Sequence, residues 1–267
     1  MDWPISNKGG FSNYSDMGIA APTSINTKGP WTQMVAATAA EVNFIVVSPI
    51  YYYYNNIGYL FDVGIGAAGS EVVIINNLNV GTASSYAVRT PNAYGFPVHI
   101  SKGQRVSIRQ QNESTQYLGV SIDLYSTYPG MTQSFAGVDS LGVDTSTTRG
   151  TNIDPGGVAS TFGNYYQLTA ATSRTYKAIM ISSPYDHDSS RSDTRWTIRV
   201  AVGDAGSEVD IGSLNVWCNA YNDVLFPRAS KIIPVIIPKG SRISARCSSV
   251  NTTVDDRNID VICYAIY

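Results

Sequence analysis

Apolar side chains along this chain recur mainly at every second position. Phe96, Val98 and Ile100 alternate with smaller or polar residues, Ser101-Lys102-Gly103-Gln104 reads as a turn, and Val106 and Ile108 then alternate with Ser107 and Arg109. The same pattern returns around Pro238-Lys239-Gly240-Ser241, where Ile243 and Ala245 alternate with Arg242, Ser244 and Arg246. A period of two places the apolar set on one sheet face and the arginines on the other, the pattern of a sheet with one solvated face. Phe44–Val47 and Ala178–Ile181 are short apolar runs closing at Ser-Pro, where proline cannot continue a central ladder. Val72, Ile74 and Leu78 mark a further strand, and Leu118–Tyr125 and Ile259–Tyr267 the final ones. No segment carries a convincing helical period. The expected class is all-β: two tandem β-sandwich domains of jelly-roll or Ig-like type.

Two domains are expected because the chain repeats itself. VGIGAAGSEVVI (Val63–Ile74) aligns with VAVGDAGSEVDI (Val200–Ile211) 137 residues on, with eight of twelve positions identical. At the same offset FPVHISKGQRVSIRQ (Phe96–Gln110) aligns with IPVIIPKGSRISARC (Ile233–Cys247), and NTKGPWTQMVAAT (Asn26–Thr38) faces STFGNYYQLTAAT (Ser160–Thr172) at an offset of 134. Ordered blocks with so small a drift indicate duplication. The expected organisation is an extended arm over 1–21, a first sandwich over 22–125, a linker over 126–155 and a second sandwich over 156–267. The linker is rich in Gly, Ser and Thr and lacks periodicity, so it reads as extended or flexible.

Composition removes several functions. Of 267 residues only 14% are charged and the formal net charge is −2, which argues against nucleic-acid binding by bulk electrostatics. No apolar run reaches the length of about 18 residues that a spanning helix needs, and no membrane role is expected. The start, Met1-Asp2-Trp3-Pro4, has no signal-peptide features. Three cysteines, Cys218, Cys247 and Cys263, form no C-x-x-C, so free buried thiols and assembly in a host cytoplasm are expected.

Catalytic groupings are sparse, and no catalytic residue, metal site or cofactor is expected. His99 falls at a polar phase of its strand, and His187 lies in the polar loop PYDHDSSRSDTR. The matched charges Glu71 and Glu208, Arg105 and Arg242, and Arg109 and Arg246, with the turn residues Lys102, Gly103, Lys239 and Gly240, serve the fold or an interface shared by both copies. A glycosidase would need a second matched acid across a cleft. Tyr51, Tyr52, Tyr53 and Tyr54 form the most unusual feature; such residues pack at subunit interfaces or stack on sugars, or alternate between core and solvent. The arm carries Trp3, Phe11 and Tyr14, aromatics spaced like anchors for docking.

The blocks NTKGPWTQMVAAT, GAAGSEVVI and FPVHISKGQRVSIR resemble a pattern found in virion-associated proteins of tailed bacteriophages. That pattern has a Gly-Trp-x-x-Leu-x-Ala-Thr opening, a GAAGSE block and an I-P-x-G-x-R-I-x-x-R turn. Gly240, Arg242 and Arg246 match the last phrase, as do Gly103, Arg105 and Arg109, with Ser101 in place of proline. The resemblance covers both repeats but neither arm nor linker, and implies a structural or surface role on the virion. The leading expectation is a non-enzymatic capsid decoration or cement protein contacting the major capsid protein or tail and connector proteins. A homo-oligomer is expected, a trimer in particular, since three two-sandwich chains suit local threefold or quasi-sixfold sites. The alternative is a tail- or head-fibre module that binds a host glycan.

Overall fold

In the computed structural model the described residues are 23–51, 58–79, 93–113, 119–127, 133–183, 194–219, 224–225 and 228–267. The chain divides into two units, Met1–Tyr53 with Tyr59–Val80 and Pro91–Asp139, and Tyr54–Gly58 with Gly81–Thr90 and Ser140–Tyr267. The arm aromatics Trp3, Phe11 and Tyr14 lie outside the described residues, as do Tyr52, Tyr53, Tyr54 and His187; Tyr51 is described only in its backbone.

The first unit contains β1 (Thr32–Val35), β2 (Phe44–Tyr51), β3 (Tyr59–Ile65), β4 (Val72–Asn79), β5 (Tyr94–Phe96), β6 (Val106–Asn112) and β7 (Gly119–Tyr125). One sheet runs β1-β6-β3-β4 and a second runs β5-β2-β7, all antiparallel. Every connection except the β3–β4 hairpin passes from one sheet to the other, as in a jelly roll. Alternate residues fill the interior: Phe61, Val63, Val106 and Ile108 from one sheet, Ile45, Val47, Ile122 and Leu124 from the other. The strand β8 (Val138–Leu141) adds to β4 in parallel, through Ile75 opposite Val138.

The second unit contains β9 (Thr151–Ile153), β10 (Tyr166–Thr169), β11 (Tyr176–Ser183), β12 (Thr194–Val202), β13 (Val209–Asn219), β14 (Val224–Leu225), β15 (Arg228–Ala229), β16 (Ile233–Ile237), β17 (Ile243–Ser249), a four-residue helix α1 (Val254–Arg257) and β18 (Ile259–Ile266). One sheet runs β10-β17-β12-β13-β14. In the other, β11 lies between β18 and the broken edge strand β15 and β16, and β9 joins β18. Their facing residues, among them Trp196, Ile198, Ala245 and Cys247 against Ile179, Ile181, Val261 and Cys263, form one buried core. This is a β-sandwich.

The repeat seen in sequence extends to register. Thr32, Gln33 and Val35 pair with Ile108, Ser107 and Val106, with an irregularity after Gln33. Tyr166, Gln167 and Thr169 pair with Ala245, Ser244 and Ile243, with the irregularity after Gln167. Such bulges re-aim a strand at a defined point, and this one is kept in both copies.

Two expectations are corrected. The stretch 126–155 is not wholly a linker: it supplies β8 and β9, and Ile153 is fully buried in the second core. These strands have four and three residues, too short for periodicity to show. The arginine-bearing sheet face is also less solvated than alternation implies. Asp62 and Ser107 are buried on that face, where Trp31 lies over Gly64 and 4.5 Å from the Arg109 guanidinium.

Candidate functional site

Three segments meet at one end of each sandwich: the exit of the first strand, the GSE hairpin and the Lys-Gly turn. In the first unit Arg105 ties them together. Its Nη1 donates to Glu71 Oε1 at 2.6 Å and its Nε to Gln33 Oε1 at 2.9 Å. In the second unit Arg242 donates to Glu208 Oε1 at 2.9 Å and to Gln167 Oε1 at 3.3 Å. The same glutamates accept the amide N–H of Gly69 at 3.0 Å and of Gly206 at 2.8 Å. Thr38 accepts from Gln104 N through its hydroxyl while donating to Ser101 O, and Thr172 does the same with Ser241 and Pro238. Gly103 (φ 84°) and Gly240 (φ 85°) occupy the left-handed region their turns require.

The carboxylates are thereby held ionised. The Arg105 guanidinium, with backbone N–H donors, keeps Glu71 below the ordinary glutamate range, although burial opposes it. For Glu208 its own backbone N–H is the larger cause, and Arg242 adds to it. The Glu71 side chain is only 1% exposed, so this is a covered brace rather than a free acid.

A second grouping lies on the same sheet further from the corner, and here the copies diverge. In the first unit Asp62 receives Lys28 Nζ at 2.8 Å, Arg109 Nε at 2.8 Å and the Asn77 amide at 2.8 Å. Asn77 (φ 46°) sits at an irregularity of β4, which turns its N–H toward that carboxylate. In the second unit the acid is Asp210, bonded by Arg199, Arg246 and the Tyr165 hydroxyl at 2.9, 3.0 and 2.6 Å. Burial raises the Asp210 pKa, but these donors outweigh it and the net direction is down. Phe162, the counterpart of Lys28, lies under Arg199 and Arg246 at 4.3 and 5.0 Å.

Of the residues matched between the repeats, Glu71 and Arg105 meet beside the Lys102-Gly103 turn in the first unit, and Glu208 and Arg242 beside the Lys239-Gly240 turn in the second. Arg109 and Arg246 belong to the second grouping. The sequence reading missed Gln33, Gln167, Thr38 and Thr172, which were visible as matched residues of the first block but belong to a different offset from their partners. His99 stands on the surface, with Glu41, Asn43 and Ser101 at 3.2–3.4 Å. Cys247 and Cys263 are buried free thiols. Among the described residues no three His, Cys, Asp or Glu side chains are grouped to hold a metal, and no helix is long and apolar enough to cross a membrane.

No protein family matches the chain, and no curated protein matches it. Among solved structures it is similar to the STIV MCP, at 10% identity and a TM-score of 0.38, over 94% of this chain and 94% of that one. It is similar to PNGF-II at 7% identity and a TM-score of 0.39, over 98% of this chain and 64% of that one. It is also similar to a chain of Broad Bean Stain Virus at 10% identity and a TM-score of 0.31, over 96% and 93% of the two. Identities of this size transfer no residue's role to this chain.

Proposed function

We propose that this chain is a non-enzymatic structural protein of a tailed-phage virion, a capsid decoration or cement protein that stabilises the particle through subunit contacts. The observation that carries the reading is the double occurrence of one braced corner, in which arginine and glutamate are consumed in holding shape. A charged pair that is covered and mutually neutralised suits a scaffold for contact, not a reacting centre. The resemblance of the same blocks to virion-associated proteins supports the same reading. The partners are other virion proteins, the major capsid protein first, and assembly as a trimer gives six similar sandwiches for a threefold or quasi-sixfold site.

Quantitative protein analysis of purified particles tests this. Hundreds of copies per particle are expected for a shell protein. A handful of copies would move it to the tail, connector or fibre, and absence from particles would overturn the reading.

A further inference from the structure

We propose that β16 is an open sheet edge filled by strand addition from a second copy of this chain, with Gly10-Phe11-Ser12 of that copy's N-terminal arm as the added segment. The inference goes beyond the virion reading and does not need it.

The first unit supplies the template. Val98 bridges Phe135 in parallel: the Phe135 N–H donates to Pro97 O at 2.7 Å and the His99 N–H to Phe135 O at 2.8 Å. The segment around Phe135 thus adds to the edge of the β5-β2-β7 sheet. The second unit repeats this edge in register. Ile45 pairs with Phe96 and Val42 with Ile100, and at offsets of 134 and 137 Ile179 pairs with Ile233 and Tyr176 with Ile237. Between those pairs two residues face three in both copies, a bulge that disrupts the ladder at the same point. Pro97, Val98 and His99 correspond to Pro234, Val235 and Ile236. The proline does not block addition, because the added segment uses only its carbonyl.

The filler is what differs. Among the described residues β16 pairs with β11 alone. Exposure differs accordingly: Pro97 and Val98 are buried, whereas Pro234 is exposed and Val235 half-buried. Ile236 is 70% exposed, more than any other large apolar side chain of the described residues. An apolar strand edge left open in this way is a template for another chain. The occupant's chemistry is read from Phe135, a phenylalanine between the small residues Ser134 and Ala136. Phe11 has the same setting, between Gly10 and Ser12. Phe226 does not, since it follows Leu225, which is already paired in β14. The edge is open in the single chain, so the segment comes from a second copy. Arm on edge is a heterologous contact, which closes into a ring such as a trimer.

The test uses the full chain in a Cys218→Ser background, where Cys247 and Cys263 are buried. In the register of Phe135 on Val98, Phe11 lies opposite Val235 and Ser12 opposite Ile236. Paired strands lie about 4.8 Å apart, within the reach of a disulfide. A Ser12→Cys chain is mixed with an Ile236→Cys chain and oxidised. A disulfide-linked dimer is expected, identified by mass spectrometry of the joined peptides. A Ser6→Cys chain, its thiol about 20 Å further along an extended arm, should link several-fold less. Phe11→Ala and Ile236→Asp should each lower the oligomer fraction in sedimentation, with circular dichroism verifying that the sandwiches stay folded. Linking only inside a chain that carries both cysteines would overturn the second copy as donor. Equal linking by Ser6→Cys would overturn the Phe11 register. No link in the mixture, whatever its oligomeric state, would overturn the proposal as a whole. Copy number per particle is untouched by any of these outcomes, so the virion reading stands or falls separately.

Discussion

At the scale of single residues, the two copies solve one packing problem in different ways. Trp31 lies over Gly64, where an added Cβ would come within 2.8 Å of the indole Cη2. The second copy has the smaller Tyr165 in place of Trp31 and Ala201 in place of Gly64. Ring size and the residue beneath it have changed together. Gly64→Ala is expected to destabilise the first unit by about 1–3 kcal/mol through overpacking. Trp31→Tyr in the same chain should recover part of that loss, giving a coupling of at least about 0.5 kcal/mol in a double-mutant cycle by urea unfolding. Strict additivity would remove this account. The braced glutamates carry their own signature. Glu71 and Glu208 have depressed values in the folded state, so their contribution is fully present above the ordinary 4.5 and is lost as pH falls through the lowered values. Replacing both by Gln should lower stability at neutral pH and flatten its decline below pH 4.5, as followed by urea unfolding across pH.

At the scale of elements, the hairpins and turns that shape the corner were legible because identical letters recurred at one offset. The braces across it were not. Gln33 and Thr38 belong to a block offset by 134, while Arg105 and Ser101 belong to one offset by 137, so their partnership appears only when the strands are paired. Alternation likewise put Arg109 and Arg246 on a polar face, but could not show that the facing acid had moved from Asp62 on β3 to Asp210 on β13. That move exchanges charge between neighbouring strands while keeping each arginine paired. Asp62→Asn should therefore be costly. It leaves Lys28 and Arg109 beside a neutral group at a site where the aspartate side chain is only 4% exposed. The expected loss is about 1–3 kcal/mol, below the range for a fully buried pair because both cations reach solvent. An unchanged unfolding midpoint would show that the grouping contributes nothing to stability.

At the scale of the whole molecule, the position of β9 decides where the second unit can be cut. Ile153 fills its core, and Asp154 receives Arg257 Nε and Nη2 at 2.6 and 2.8 Å, fixing the turn whose carbonyl accepts the Trp196 indole N–H at 2.7 Å. We expect a fragment of residues 140–267 to fold cooperatively, and one of 156–267 to be several kcal/mol less stable, since it loses a buried Ile and a bidentate ion pair. Equal unfolding curves would place the boundary at 156 after all. The buried thiols of this unit have a further use. Cys247 and Cys263 are pushed up to about 12, chiefly by burial, and all three cysteines of the chain lie in the second repeat. A thiolate is the reactive form, so these sulfurs are inert until the core opens. In a Cys218→Ser background, the rate of alkylation at neutral pH becomes a clock for opening of the second sandwich alone. Run on free chain and on assembled particles, it would time how far docking holds that sandwich shut.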